Sequence, residues 1–314
     1  MPLPNFLVIG AGRSGTTSLN HYLKQHPEIY IPDVKSPSHF YCQGLVPPDD
    51  PYRYWGTRSY FVPDPRAYQA LFDGVRGEKA IGEVSPVYLA AVHVAPRIAN
   101  RLPHARLVAI LRNPVDRVYA RYVGRRRDGL EPQTDFAELV RAERRQPLIR
   151  DDASGTYLAG GIVSHFLQTY YAHFSQSQIR IYLFDDFQKN NAAVLRDLYE
   201  FLEVAPDFDA DTTYRHNSSG GMIANPLLRR VWMGSGLLRA MLRPYFPETL
   251  RDKTFSLFAR RLVAQPLAPE LRAELTELYR PEILKLQDMI KRDLARWLVP
   301  HREVTRKTVK EKTA

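Results

Sequence analysis

Residues 5–23, NFLVIGAGRSGTTSLNHYL, constrain this chain more than any other segment. The apolar run 6–9 reads as a buried strand, residues 10–15 as a glycine-rich turn, and a helix starts at Thr16. A strand feeding a helix through such a turn aims backbone N–H groups and a helix N-terminus at one point, which makes an anion site. The spacing from Gly10 to Gly15 with two threonines after it matches G-x-x-x-x-G-K-[ST], except that Thr16 stands where the lysine belongs. The basic residue lies inside the loop instead, as Arg13. A nucleoside triphosphatase lacking that lysine loses its contact to the β- and γ-phosphates. A donor with another reactive group does not need a lysine there.

The rest of the chain alternates strand and helix. Residues 79–83 read as a short strand edge, 106–111 (RLVAIL) and 178–184 (QIRIYLF) as strands. Helices are expected over 66–72, 85–102 (punctuated by Pro86 and Pro96), from Pro114 to about Arg126, and over 135–145, 164–174 and 192–202. Residues 31–65, rich in proline and aromatics, read mostly as loop. This alternation predicts an α/β fold, a central mainly parallel sheet with helices on both faces. At 314 residues, one domain over 1–300 suffices, followed by a basic, polar and disordered tail at 301–314.

An excess of 44 Lys+Arg over 34 Asp+Glu favours acidic partners. No nucleic-acid fold signature accompanies the charge. The single cysteine, Cys42, rules out an intrachain disulfide. With no spanning apolar run or leader, a cytoplasmic protein is the expectation. No acidic or histidine cluster has metal-ligand spacing, so no metal is expected.

Arg112 ends the strand 106–111, where open α/β sheets bind ligands, and Asn113 and Pro114 open a helix facing the same crevice. A guanidinium there suits a phosphate monoester. Two anion sites on two strand ends imply a ligand with phosphates at both ends.

Together these segments resemble the sulfotransferases that use 3′-phosphoadenosine 5′-phosphosulfate (PAPS), nearest in motif to the heparan-sulfate-type and bacterial branch with its P-loop-like architecture. The stretches 35–41 (KSPSHFY), 82–89 (GEVSPVYL), 155–184 and 269–297 extend the resemblance over most of the chain. It implies that Arg13, Ser14, Gly15, Thr16, Thr17 and Ser18 hold the phosphosulfate and that Arg112 holds the 3′-phosphate. Tyr157 matches an adenosine- or phosphate-side tyrosine. Arg215, Ser218 and Gly220, in YRHNSSGGM, match a loop closing over the 3′-phosphate. A serine usual eight residues after the arginine is replaced by Ala120, which puts donor affinity in question.

Sulfuryl transfer needs a base on the acceptor and positive charge near the donor's bridging oxygen. The resemblance assigns Glu83 as base, with His39 as rival, and Arg13 and Lys35 as the positive charges. The acceptor is a hydroxyl or amine, on a glycan or small molecule, and 3′,5′-adenosine bisphosphate (PAP) is the product. Arg125–Arg127 with Arg141, Arg144 and Arg145 form a basic region, read as a solvated face or a guide for an acidic acceptor. Residues 226–263 pair apolar and arginine faces, a pattern of a lid, a core helix or peripheral membrane contact. Two alternatives stay open: a P-loop small-molecule kinase, and a nucleotide- or polyanion-binding protein without turnover.

Overall fold

Apolar side chains on both faces leave β1 (Phe6–Gly10) no side for water, and all five residues are buried in the middle of a sheet. It pairs in parallel with β3 (Ala80–Val84) on one side and β4 (Arg106–Leu111) on the other. β2 (Ile29–Tyr30) extends beyond β3, and β5 (Ile179–Leu183) beyond β4, giving the all-parallel order β2-β3-β1-β4-β5. The computed structural model describes residues 2–33, 39–43, 62, 64–128, 131–153, 155–213, 222–223, 262–263 and 266–299.

Alternating strand residues feed two cores. Phe6 and Val8 pack with Leu19, Tyr22 and Leu23 of α1 (Thr16–Leu23) and with Leu195 and Leu198 of α8 (Asn191–Phe201). Leu7 and Ile9 belong to the opposite core, which takes Tyr68 of α2 (Pro65–Ala70), Ile98 of α3 (Val94–Arg101) and Val118 of α4 (Pro114–Asp128). Phe166 of α6 (Val163–His173) and Ile283 of the C-terminal helix (Pro269–Ile290) complete it. Between α4 and α6 lies α5 (Phe136–Glu143), capped by the Asp135 side chain. From β1 the chain steps outward past β3 to β2, then crosses back over β1 to reach β4. The loop after β1 therefore lies at the switch point, where doubly wound sheets place their ligands.

Three features differ from the sequence reading. β3 is an inner strand rather than an edge. The helix expected over 85–102 is a single turn at Tyr88–Ala90 followed by α3. The cause is local pairing: Ala153 N–H donates to the Ala90 carbonyl and Val92 N–H to the Asp151 carbonyl, both at 2.9 Å, which pulls Ala91 into an extended conformation. Pro96 then falls in the first turn of α3, where its missing N–H costs nothing. The short α7 (Phe184–Lys189) continues directly from β5, taking Phe184 from the end of the expected strand and filling residues the sequence reading left unassigned. Among the described residues no helix is long and apolar enough to cross a membrane, and no group of His, Cys, Asp or Glu is arranged to hold a metal.

Candidate functional site

The turn after β1 carries two left-handed residues, Arg13 (φ 69°) and Gly15 (φ 89°). Gly15 caps α1, and only glycine enters that conformation without strain. Such alternation turns successive N–H groups to one side, the geometry of an anion nest. Thr16 and Ser18 are buried and Thr17 is exposed. Ser14 is fully buried, and its Oγ has no hydrogen-bond partner among the described residues. A buried hydroxyl left unpaired costs about 1–3 kcal/mol.

Arg112, just past β4, meets this loop. Its Nη1 donates to the Arg13 carbonyl at 3.1 Å and its guanidinium lies 4.8 Å from the Phe184 ring centroid. Burial lowers its pKa, while the carboxylates of Asp116 and Asp185 oppose that shift. Asp116 pairs instead with Arg272 at 2.7 Å. Asn113 caps α4 by accepting from the Val115 N–H at 2.9 Å, so that helix N-terminus opens beside Arg112. The loop of β1 and the end of β4 thus converge as the sequence predicts.

The side chain of Arg13 runs along α4 and rests on Gly124, where an added Cβ would lie only 2.3 Å from Nη2. The same face of α4 carries Arg117, Arg121 and Arg125, each buried. Arg117 Nε donates to the Gly12 carbonyl at 3.1 Å and its Nη1 to the Gly160 carbonyl. Arg121 Nη1 donates to the Thr156 carbonyl at 2.7 Å. Gly12, Arg13, Arg117, Val118, Arg121 and Tyr157 enclose a cavity of about 10 Å³, space for one water. Burial lowers the Arg117 pKa to about 10; burial, reinforced by neighbouring Arg117 and Arg125, lowers that of Arg121 to about 9. The Tyr157 ring lies 5.4 Å from the Arg121 guanidinium and its hydroxyl donates to Glu131 at 2.6 Å. Tyr157 therefore belongs to the wall behind Arg13, in the loop preceding the Ala159–Gly161 turn.

Glu83 sits on β3 in register with Leu7 and is only 5% exposed. Its carboxylate accepts three hydroxyls: Tyr68 on Oε2 at 2.6 Å, and Ser85 at 2.5 Å and Tyr88 at 2.7 Å on Oε1. Three donors suit an ionised carboxylate, which only accepts. Burial first, then the Glu83 charge, pushes the Tyr68 phenol far up, so it stays a donor. The Tyr41 ring stands edge-on to both Tyr68 and Tyr88. Ser85 N–H donates to the Val8 carbonyl at 3.0 Å, tying the Glu83 strand end to the start of the anion loop. His39 heads the Phe40–Cys42 turn, and burial holds its pKa down at about 4, so it is a neutral, packed histidine.

Sequence reasoning missed Arg117 and Arg121, though their spacing with Arg125 at i, i+4, i+8 places all three on one helix face. It also missed the hydroxyl cage around Glu83, two members of which, Ser85 and Tyr88, stand inside GEVSPVYL. Arg125 and Arg126 correct an expectation: they are 5% and 4% exposed, not part of a solvated face. Lys35, Arg215, Ser218 and Gly220 lie outside the described residues, as do 226–261 and 301–314.

A profile of the sulfotransferase family matches residues 4–209. A sulfotransferase structure from Alicyclobacillus acidocaldarius is 31% identical, with a TM-score of 0.71 over 95% of this chain and 99% of that one. The human bifunctional heparan sulfate N-deacetylase/N-sulfotransferase 2 is 27% identical over 231 residues, 70% of this chain but 24% of that protein. The membrane-associated sulfotransferase kil1 of Dictyostelium discoideum is 33% identical over 123 residues, 38% of this chain and 22% of its own length. The chain thus spans about a quarter of the length of these two curated relatives. With two-thirds of its residues under one family profile, and a parallel sheet whose central loop carries arginine in place of the triphosphatase lysine, the chain belongs to the sulfotransferase family.

Proposed function

We propose that this protein transfers a sulfuryl group from PAPS to a hydroxyl or amine on a carbohydrate acceptor. The observation that carries this reading is the loop at the switch point: left-handed at Arg13 and Gly15, with the buried, unpaired Ser14 hydroxyl and Arg112 at its side. In this reading the nest and Arg13 hold the phosphosulfate and Arg112 the 3′-phosphate. Tyr157 backs the Arg13 side chain. Lys35 supplies further positive charge, and the 215–220 loop supplies the remaining donor contacts. Glu83 takes the acceptor's proton, the acceptor's lone pair forms the new bond to sulfur, and the bond from sulfur to the bridging oxygen breaks, releasing PAP. Arginine near that oxygen offsets the charge growing on it.

The carbohydrate acceptor is supported by likeness to the heparan sulfate N-sulfotransferase, and rests on that likeness alone. The kinase alternative lacks support at Thr16, where a lysine is required. Ala120, buried on α4 without a hydroxyl for the 3′-phosphate, is what favours a binding protein without turnover. The test is transfer of radiolabelled sulfate from PAPS to a panel of N-deacetylated heparosan oligosaccharides, simple amino sugars and phenols, with Glu83→Gln alongside. Labelled saccharide, lost in Glu83→Gln by about two orders of magnitude or more, is the expected result. Label on phenols alone would refute the carbohydrate acceptor, and undiminished transfer by Glu83→Gln would refute its role as base.

A further inference from the structure

Arg117 is not adjacent to Arg112 in the chain, yet it reaches the same loop from one turn further along α4. It is 7% exposed, and its fork is committed in two directions: Nε to the carbonyl of Gly12 at 3.1 Å, and Nη1 to the carbonyl of Gly160. Arg112 holds the next carbonyl, that of Arg13, at 3.1 Å. Two consecutive carbonyls of the loop are therefore held by guanidinium groups, Gly12 from α4 and Arg13 from the end of β4. A peptide whose carbonyl points one way directs its N–H the other. The Ser14 N–H, after the Arg13 carbonyl, turns back to the Ala11 carbonyl at 3.2 Å, so the Gly12 peptide held by Arg117 is the one whose N–H is directed away from α4 toward the nest. A donor bonded at its carbonyl is also polarised, which strengthens the N–H on the far side. The second arm of Arg117 is anchored: Leu158, two residues before Gly160, has its carbonyl bonded by the Tyr279 hydroxyl of the C-terminal helix at 2.8 Å.

We infer that Arg117 is a positioning residue for the 5′-side anion of the donor: it clamps the Gly12 peptide in the orientation that directs its N–H toward the nest, and it transmits to the loop the support of the 158–160 turn. This rests on the PAPS reading of the loop. The guanidinium is behind the loop, so Arg117 acts on the ligand only through the peptide it holds.

The clamp makes a prediction that separates the two ends of the ligand. Arg117→Met keeps an unbranched apolar stem and removes both bonds. Calorimetry with 3′,5′-adenosine bisphosphate, and ligand-observed NMR with 5′-AMP and 3′-AMP, read affinity at both ends and at each end alone. The bisphosphate and 5′-AMP are expected to bind about tenfold or more weakly to the variant, while 3′-AMP stays within about twofold. Arg117→Lys, which can restore one carbonyl bond but not two, is expected to lie between, with its loss again confined to the 5′-phosphate ligands. It also carries the test alone if the melting curve shows Arg117→Met to be unfolded. Equal losses for all three ligands, or no loss, would overturn the inference, the first showing a general structural role. If the unaltered protein prefers ATP–Mg²⁺ to the bisphosphate, the donor reading itself fails and takes the inference with it.

Discussion

Gly124→Ala should separate stability from donor binding in this protein. Gly124 is a buried interior residue of α4, and a Cβ there would lie 2.3 Å from Arg13 Nη2 and 2.5 Å from Cζ. Ordinary contact needs about 3.5–4.0 Å, so the guanidinium must move by roughly 1–1.5 Å. It is the far end of a flexible side chain, and the helix backbone has no need to shift. Replacing glycine by alanine inside a helix contributes about 0.5–1 kcal/mol. With an unfolding entropy of about 2.1 cal/mol/K per residue over 314 residues, the melting temperature should rise by about 1 °C. The ligand side moves the other way. A charge-assisted hydrogen bond contributes about 1.5–3 kcal/mol, so losing Arg13 from its place should weaken the bisphosphate by about 10–100-fold. Calorimetry gives the affinity and scanning calorimetry the stability. In an Arg13→Ala background the same substitution should leave affinity unchanged, since the coupling runs through that side chain. A Gly124→Ala protein that is more stable and binds the bisphosphate as before would refute the role given to the Arg13 side chain.

Three further outcomes are expected. Gly82→Ala places a Cβ 2.0 Å from the Phe6 ring across paired strands, and should cost at least the ~1–3 kcal/mol of an overpacked core in urea denaturation; Phe6→Leu in the same chain should recover most of it. Tyr68→Phe keeps the ring stacked on Phe40 at 4.1 Å but removes one hydroxyl from the Glu83 carboxylate, which should lower stability by about 1.5–3 kcal/mol; an unchanged denaturation midpoint would dismiss that bond. Because burial depresses the His39 pKa to about 4, the unfolded chain binds the extra proton between about pH 6.5 and 4. That contribution is complete above pH 6.5 and is lost as pH falls through the window, by at most about 1.4 kcal/mol per pH unit. His39→Phe should flatten the fall in denaturation midpoint over that range, and an equally steep fall would show His39 to be exposed to protons.

The sequence carried the parts of the fold whose signals are local. An unbroken apolar run marks β1 as central, and glycine spacing marks the turn after it, because both depend on residues adjacent in the chain. Arg112 was equally visible, since the strand RLVAIL and Pro114 bracket it. The helix over 85–102 was misread because its interruption comes from residues 151–153, some sixty positions away, pairing with 90–92. The hydroxyl cage of Glu83 was half visible: Ser85 and Tyr88 are close in sequence, whereas Tyr68 arrives on another helix. The burial of Arg117 and Arg121 depends on backbone carbonyls at 153–160, and that of Arg125 on the Tyr157 ring, which no side-chain pattern announces. Arg125 and Arg126, read with Arg127 as part of a solvated face or acceptor guide, are buried instead.

The most direct test of this account is a calorimetric titration of the unaltered protein with 3′,5′-adenosine bisphosphate beside ATP–Mg²⁺. The account predicts selective binding of the bisphosphate, abolished in Arg112→Ala, because a loop with arginine inside it and threonine at position 16 has no lysine for a triphosphate. Preference for ATP–Mg²⁺, or no binding of the bisphosphate, would contradict it.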